Sequence, residues 1–401
     1  MLLVPPVLYG QGVASPGEAP ASVPVRLGPV ALAPTLTLSS GWDSNLFNLP
    51  ADLNPPDDVT AILRPELQAW LRLGPARLSG RGTVDFVYFR DHESERSVDF
   101  DDEVRLQMPL ARVMPYVAGG WARERQRFSY EIDQRVLRHE DWQLVGAEVR
   151  VGPRTSFDLS GRRQRLEFDD EPSFGDPFVT QFYDLTSRGI ALTFRQQLTP
   201  LTSFDVTAGA HHDRFDMDPQ RDTDSFRVSA GFEFKPFALI SGRAYAGWQQ
   251  VELIAPGAST FTGVVASIDL AYTLLGATRF TVQAQRDISY SAIQGQHAYL
   301  LSGVTLLANH RLNGQWDVGA RVGRHRLSYG VFAPTGNPDA PPPLSATYRE
   351  TITQYGGDTG YRFGPDTRMA MFVYRSTRGS TVADGREYER TLVGWSLEYR
   401  F

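Results

Sequence analysis

The sequence contains no cysteine and no long apolar run. The absence of cysteine among its 401 residues excludes disulfides and any metal or redox site built on thiolates. No stretch approaches the roughly 18–20 apolar residues that a membrane-spanning helix needs. The chain is therefore not a helical membrane protein.

Lysine is almost absent as well. Lys235 is the only lysine among 40 lysine and arginine residues, and the net charge is −6. Because no basic stripe is present, nucleic acid is not an expected partner. The excess of arginine has two interpretations: the base composition of a GC-rich genome, or a preference for bidentate contacts to carboxylates and phosphates such as those of lipopolysaccharide.

Apolar and polar residues alternate with a period of two from end to end. In residues 391–401, apolar side chains occupy most odd positions and small or polar ones most even positions. Residues 63–73, 78–88, 226–234 and 280–285 show the same pattern. Successive side chains of a strand point to opposite faces. Each segment is therefore predicted to be a strand with one apolar and one polar face.

Counting such segments predicts about eighteen strands. The predicted starts lie near Val30, Thr60, Ala76, Arg96, Val113, Leu137, Thr155, Thr180, Thr202, Thr223, Phe237, Ser259, Thr278, Gln296, Gln315, Ser345, Arg368 and Gly385. So much strand is unusual for a globular domain. It indicates an all-β fold, a transmembrane antiparallel up-and-down β-barrel.

The connections between these segments alternate in length. Short turns such as Gly74-Pro75 and Leu275-Gly276-Ala277 alternate along the chain with longer polar connections such as 43–59 and 331–344. Bacterial outer-membrane barrels have short periplasmic turns and long extracellular loops. Eight turns and nine loops place both termini on the periplasmic side.

The polar faces are then expected to line the interior of the barrel. Burying unpaired charges in a dry core is very costly, so the interior should hold water or ion pairs. A barrel of this strand number is wide enough for an aqueous channel. The candidate pore-lining residues are Arg64, Arg72, Arg77, Arg81, Arg105, Arg162, Arg195, Arg227, Arg243, Arg321, Glu66, Asp85, Asp101, Glu103, Asp205, Glu233 and Asp269.

Few residues suggest catalysis or metal binding. The run 211–213 (His-His-Asp), the hairpin carrying Asp287, Ser291 and His297, and the acidic loop 213–224 are the candidates. None has the spacing of a metal site or of a converging catalytic set. We predict no enzyme activity, no metal and no cofactor.

The N-terminal segment differs from the rest of the chain. Residues 1–28 are short of charge and resemble the tail of a secretory signal peptide without its basic region. We interpret them as a signal-peptide remnant or a flexible segment. Residues 29–401 are predicted to form a single barrel domain.

One octapeptide carries a family resemblance. Ser40-Gly41-Trp42-Asp43-Ser44-Asn45-Leu46-Phe47, at the end of the first predicted strand, resembles the opening motif of the putative β-barrel porin 2 family. The matching positions are Gly41, Trp42, Asp43, Ser44, Asn45 and Phe47. The terminal Phe401 resembles the signal that outer-membrane assembly machinery reads.

The resemblance implies a function and its partners. Members of this family of Gram-negative outer-membrane barrels are often linked to exopolysaccharide export. The implied partners are outer-membrane lipid, lipopolysaccharide, the assembly machinery and a polysaccharide export protein.

Three functions remain open at this point. They are a conduit for exopolysaccharide or another polar solute, a general diffusion porin, and a closed structural or assembly barrel. A polymer conduit should show a track of arginines and aromatics along the bore, and a diffusion porin should show a constriction loop. No constriction loop is evident in the sequence, which favours export.

Overall fold

The fold is described from a computed structural model, which covers residues 23–169, 183–235, 239–254, 260–291, 297–330, 348–381 and 386–401. The strands within these ranges are β1 (Val25–Leu27), β2 (Val30–Asp43), β3 (Asp58–Leu73), β4 (Ala76–Phe89), β5 (Ser97–Gln107), β6 (Val113–Gln126), β7 (Val136–Arg150), β8 (Thr155–Phe168), β9 (Leu185–Thr199), β10 (Thr202–Phe215), β11 (Thr223–Phe234), β12 (Ile240–Leu253), β13 (Thr260–Leu274), β14 (Thr278–Tyr290), β15 (Ala298–Arg311), β16 (Trp316–Ser328), β17 (Arg349–Arg362), β18 (Thr367–Ser380) and β19 (Tyr388–Arg400). Single 3₁₀ turns occur at Ala51–Leu53, Glu93–Glu95 and Pro219–Arg221. No helix in these ranges is long and apolar enough to cross a membrane.

Strands β2 to β19 form one closed antiparallel ring. Each strand pairs with its neighbours in sequence, and β19 pairs with β2 from Leu392–Asp43 to Arg400–Thr35. Closure leaves the ring without a free edge, which hydrocarbon would not tolerate. The prediction of an eighteen-stranded barrel is confirmed. The short strand β1 pairs with the start of β2 and is not part of the ring.

The predicted strands are all present, and their starts agree closely with the structure. The largest difference is at β9, which begins at Leu185 rather than near Thr180. At β17 the observed start is Arg349 rather than Ser345. Both predicted starts lie outside the described residues. They adjoin long connections, where no alternation of apolar and polar residues marks the first residue of the strand.

The two faces of the sheet divide as predicted. Apolar side chains point outward: Leu192 and its cross-strand neighbour Leu159 are 48% and 52% exposed. Large aromatics stand exposed near strand ends, with Trp121 and Trp248 towards the long loops. Such positions match the interfacial aromatic bands of membrane barrels.

The short turns follow standard hairpin chemistry. Between β13 and β14, Leu275 and Gly276 have φ angles of 51° and 69°. Positive φ at both central residues is the backbone form that suits the twist of a hairpin. All eight short connections lie at the end of the barrel where β2 begins and β19 ends. We call this end the turn side and the opposite end the loop side.

The wall of the ring is interrupted on the loop side between β13 and β14. Their pairing stops at Ala266 and Arg286, although β13 begins at Thr260 and β14 continues to Tyr290. The Nε of Arg286 donates a hydrogen bond to the freed carbonyl oxygen of Val264 at 3.1 Å. A side chain thus satisfies one backbone group that the missing strand pairing would have satisfied.

Beyond this point the end of β14 folds into the barrel together with the start of β15. Ile288 packs against Phe261 on the inner wall, and the Tyr290 hydroxyl donates to the buried Asp213. Tyr290 therefore lies inside the barrel and is not part of the outer aromatic band. Its position follows from the separation of β14 from β13, which period-two alternation does not reveal.

A charge on the outer face should destabilise the barrel far more than the same charge on the inner face. Leu192→Arg places a guanidinium against lipid and should cost roughly 2–4 kcal/mol near the bilayer midplane. Its neighbour Ala191 lines an internal cavity, so Ala191→Arg should cost much less. Denaturant unfolding of the barrel in lipid bilayers measures both. A larger loss for Ala191→Arg would contradict this assignment of faces.

Candidate functional site: the bore and its inward loop

The connection between β6 and β7, residues 127–135, folds into the barrel; we call it the inward loop. Tyr130 stacks on His325 of β16 with ring centroids 4.5 Å apart. Because the ring runs from β2 to β19, β16 lies nine strands from β7 in either direction. The inward loop therefore crosses the bore and contacts the opposite wall.

The landing point of Tyr130 is an apolar cluster. Tyr130 packs with buried residues of three strands and one connection: Tyr299 and Leu301 of β15, Leu327 of β16, Tyr329 directly after β16, and Ile352 of β17. On β15, Gly303 lies under His325, where a Cβ atom would come within 2.1 Å of the ring Nδ1. Glycine at this position allows the imidazole to lie flat against the wall and present its face to Tyr130.

Buried ion pairs attach the inward loop to β17 and β18. Asp133 accepts hydrogen bonds from Arg378 at 3.0 and 3.1 Å and from Asn48 Nδ2 at 3.1 Å. Arg378, whose side chain is 0% exposed, also pairs with Glu350. Burial raises the pKa of the Asp133 carboxyl group, and the nearby Arg378 and Arg386 guanidinium groups oppose that rise. Two arginines thus compensate two buried acids.

Glu131, another buried acid of the inward loop, connects this loop to the folded end of β14. Glu131 is 0% exposed. Its carboxylate accepts from Ser291 Oγ at 2.6 Å and from the Tyr183 hydroxyl at 3.3 Å. The backbone oxygen of Glu131 accepts from Arg386. The two elements that enter the bore are therefore joined to each other as well as to the wall.

The octapeptide motif forms the other support of the inward loop. Asp43 accepts from Arg390 Nε at 2.9 and 3.0 Å across the β2–β19 closure. Asn45 Nδ2 donates to the carbonyl oxygen of Glu389 at 3.0 Å. The carbonyl oxygen of Leu46 accepts from Arg127, the first residue of the inward loop. Burial lowers the pKa of the Arg127 guanidinium to about 9.

The other residues of the motif also make specific contacts. Ser44 exchanges two hydrogen bonds with Thr391: its N–H donates to the Thr391 oxygen at 3.0 Å, and its Oγ accepts from the Thr391 N–H at 2.8 Å. Trp42 points outward, and its Nε1 donates to Asp57 at 2.7 Å. Phe47 packs edge-on against His92 at 5.5 Å. The motif closes the barrel and seats the inward loop.

Below the inward loop the bore contains a cavity of about 440 Å³. Phe128, Ser129 and Tyr130 bound it on the loop side, and inward-facing residues of β5 to β15 form its walls. This volume lies within the range of small-molecule binding sites. The inward loop therefore separates an internal chamber from the loop side of the barrel.

The predicted pore-lining residues all lie on inward-facing positions, and many pair with one another. Arg195 pairs with Asp205 at 3.0 Å and with Glu233 at 3.4 Å. Arg81 lies 3.6 Å from both Glu66 and Asp101. The other paired members are Arg64 with Asp85, and Arg227 with Asp287, which was not in the predicted set.

The remaining members also occupy the inner face. Arg105, Arg162 and Arg243 line the cavity. Cross-strand register places Arg72 beside Arg77, Glu103 beside Arg81 and Asp269 beside Arg243, and Arg321 shares a face with His325. Whether these residues line a conducting pore stays a prediction.

The suspected catalytic and metal-binding residues do not converge. His211 lines the cavity, but His212 points outward and contacts Asp224 at 2.9 Å. Ser291 donates to Glu131, and Asp287 binds Arg227. In the described ranges, no group of three or more histidine, aspartate or glutamate side chains could hold a metal ion.

Sequence reasoning missed the inward loop. The expectation of no constriction loop is wrong for residues 127–135. The available signal was a set of apolar residues, Phe128, Tyr130 and Ile132, in a connection expected to be polar. Their partners lie on strands far along the chain, so spacing within the loop could not reveal them.

The terminal residue lies where an exposed signal would be accessible. Phe401 is exposed, packs edge-on against Tyr399 at 4.7 Å, and its N–H donates to the oxygen of Pro34 at 3.2 Å. Its role as an assembly signal stays a prediction.

Comparison with known proteins identifies similar barrels. The family model described as putative beta-barrel porin 2 matches residues 20–400. No curated protein matches the chain. The outer-membrane protein OpdK of Pseudomonas aeruginosa is 10% identical, with 92% of this chain and 99% of that chain covered and a TM-score of 0.50. The outer-membrane channel DcaP of Acinetobacter baumannii is 12% identical, with 93% and 97% covered and a TM-score of 0.49. At such identities the likeness concerns the fold alone.

Removing Arg378 should release the inward loop. Arg378→Met leaves Glu350 and Asp133 buried without their main cation, and breaking a buried pair costs about 3–5 kcal/mol. Limited trypsin digestion followed by mass spectrometry should show new cleavage at Arg127 and Arg135. Denaturant unfolding in detergent measures the loss of stability.

Arg375 on the same strand provides the matched control. Its pair with Glu389 is exposed, so Arg375→Met should cost less than about 1 kcal/mol and leave the cleavage pattern unchanged. Equal cleavage in both variants would show that Arg378 does not hold the inward loop.

Proposed function

The chain belongs to the putative beta-barrel porin 2 family, and from this premise we propose that it passes small polar solutes across the bacterial outer membrane. The observation that carries the proposal is a charged bore narrowed by the inward loop. The turn side, with both termini, faces the periplasm in this proposal, and the long loops face outward, as in other outer-membrane barrels. Outer-membrane lipid, lipopolysaccharide and the assembly machinery are its proposed partners.

The inner face supports passage of polar solutes. Charged side chains on neighbouring strands, such as Glu66, Arg81 and Asp101, stand 3.6 Å apart across the bore wall. Such groups are tolerated in a membrane barrel when water reaches them or when they pair. Because both signs occur together, we expect weak selectivity between small anions and cations at this level of the bore.

The position of the inward loop across the bore supports a limit on the size of the solutes that can pass. The loop extends from β6 and β7 to Tyr130 on His325 of the opposite wall. Its attachments through Glu131 and Asp133 are buried. A long polymer would have to displace this loop, whereas a small solute would need only a passage beside it.

A conduit for secreted polysaccharide is the second candidate, and one observation favours it. Arginines and aromatics alternate on the wall formed by β5 to β8: Arg105 lies 4.3 Å from the ring centroid of Tyr116, and Arg162 lies 5.0 Å from that of Trp142. Aromatic faces and guanidinium groups are suited to polar ring solutes. This function requires the inward loop to move, for instance on contact with a polysaccharide export protein.

Single-channel recording tests the primary proposal. The refolded chain should give a small unitary conductance in a planar bilayer. A variant with residues 128–134 replaced by Gly-Ser-Gly should give a clearly larger one, because the narrowest part of the bore has been removed. Met217→Ala, a change in an exposed loop, serves as the control and should match the unmodified chain.

Other results would contradict the proposal in different ways. Equal conductance with and without residues 128–134 would mean that the inward loop does not narrow the bore. If both folded proteins are silent, the chain is a closed structural barrel.

Polymer block distinguishes the second candidate. If the barrel is a polysaccharide conduit, an acidic exopolysaccharide added on the turn side should reduce the current of the loop-shortened variant. Dextran of similar length is the neutral control. An unchanged current at saturating polymer would contradict export of such a polymer through this bore.

A further inference from the structure

Two cavity arginines differ from most other charged groups of the bore. Arg138, Arg195 and Arg227 each have a carboxylate oxygen within 4 Å. In the described part of the chain, the ion pairs within that distance include none to Arg243, Arg105 or Arg162. Of these three, Arg105 and Arg162 also stack on aromatic rings. Their polar side-chain contacts are to amide oxygens, Gln107 at 3.2 Å and Gln164 at 3.5 Å. Neither guanidinium group is therefore held in a close ion pair with a carboxylate.

Aromatic rings hold both guanidinium groups in place. Arg105 lies over Tyr116 and Arg162 over Trp142. Stacking fixes the plane of a guanidinium group while leaving its edge free to donate hydrogen bonds. The Nε of Arg162 is buried and has no hydrogen-bond partner. Such a donor is costly to leave unpaired, so an arriving acceptor would be favoured.

The two arginines lie close enough to act on one ligand. Both line the cavity, and both also line a small crevice that contains Glu103, Trp142 and Leu144. Arg105, Ala118, Leu144 and Arg162 form one cross-strand row of β5 to β8, so both arginines start from the same level of the wall. Guanidinium groups suit the planar geometry of a carboxylate.

Acids on the same wall have other contacts: Asp158 accepts from the Tyr116 hydroxyl at 2.9 Å, Glu140 pairs with Arg138 at 3.3 Å, and Glu103 of the crevice lies opposite Arg81. The hydrogen bond from Tyr116 partly offsets the negative charge of the Asp158 carboxylate.

The surroundings on the loop side are apolar. Leu166 and Phe168 of β8 and Phe128 of the inward loop line the same cavity and are buried together. A solute with a charged group at the arginines would therefore place its other end against hydrocarbon. Inorganic anions would gain the charge contact without the apolar one.

We propose that this cavity binds a small amphipathic organic anion, with its carboxylate on Arg105 and Arg162 and its apolar body against Leu144, Leu166 and Phe168. The proposal rests on the proposed function and names the solute class that the bore selects. The paired residues elsewhere in the bore provide a polar wall, and these two arginines provide the binding site.

Calorimetric titration of the full refolded barrel with benzoate tests the proposal. Benzoate should bind, and its neutral isostere benzamide and inorganic phosphate should both bind more weakly. Arg105→Gln combined with Arg162→Gln should weaken benzoate binding by about 10- to 100-fold, the loss expected for charge-assisted hydrogen bonds. Arg375→Gln, which removes an arginine of an exposed ion pair outside the cavity, should leave the affinity unchanged. The heat-dependent gel mobility of each variant confirms that it has folded.

Three results would overturn the site. They are equal binding of benzamide and benzoate, equal binding of phosphate and benzoate, and unchanged benzoate affinity in the folded double variant. The test is independent of the channel proposal because binding is measured without current. A silent bilayer with benzoate binding would overturn the channel and support the site, and a conducting barrel that ignores benzoate would do the opposite.

Discussion

The structure depends on one constraint: in hydrocarbon every backbone N–H and C=O must find a partner within the protein. The pairing of β19 with β2 satisfies it for the ring as a whole. Where β14 leaves β13, the Arg286 side chain donates to the Val264 carbonyl oxygen. On β6, Arg123 similarly donates to the Val98 oxygen at 3.3 Å, next to the end of the β5–β6 pairing. At both places an arginine side chain donates the hydrogen bond that the missing strand pairing would have provided.

These separations make room for the elements that fill the loop side of the bore. The inward loop begins at residue 127, just after β6 has parted from β5, and the folded end of β14 begins just after Arg286. Glu131 and Ser291 then join the two elements at 2.6 Å. A wide barrel would otherwise leave this end open, so the interruptions of the wall and the narrowing of the bore are parts of one arrangement.

The octapeptide motif has its physical explanation in the same arrangement. Asp43 and Asn45 bridge to β19, and Leu46 accepts Arg127. A turn-forming sequence therefore serves three tasks at once: it ends β2, closes the ring and positions the inward loop. The chemistry of the bore follows from this placement, because Phe128 and Tyr130 become the loop-side boundary of the cavity that holds Arg105 and Arg162.

The sequence by itself determined the strand number, the faces of the clearly alternating strands, the eight turns and the inward set of charged residues. These features are local, since a strand facing lipid on one side and water on the other must alternate with period two. The tertiary structure alone decided the path of residues 127–135, the inward position of Tyr290, and the place of Arg105 and Arg162 in one cavity. Each of these depends on contacts with residues outside its own segment or on the path of the backbone there. A connection without a repeating pattern carries no local sign of where its side chains will pack.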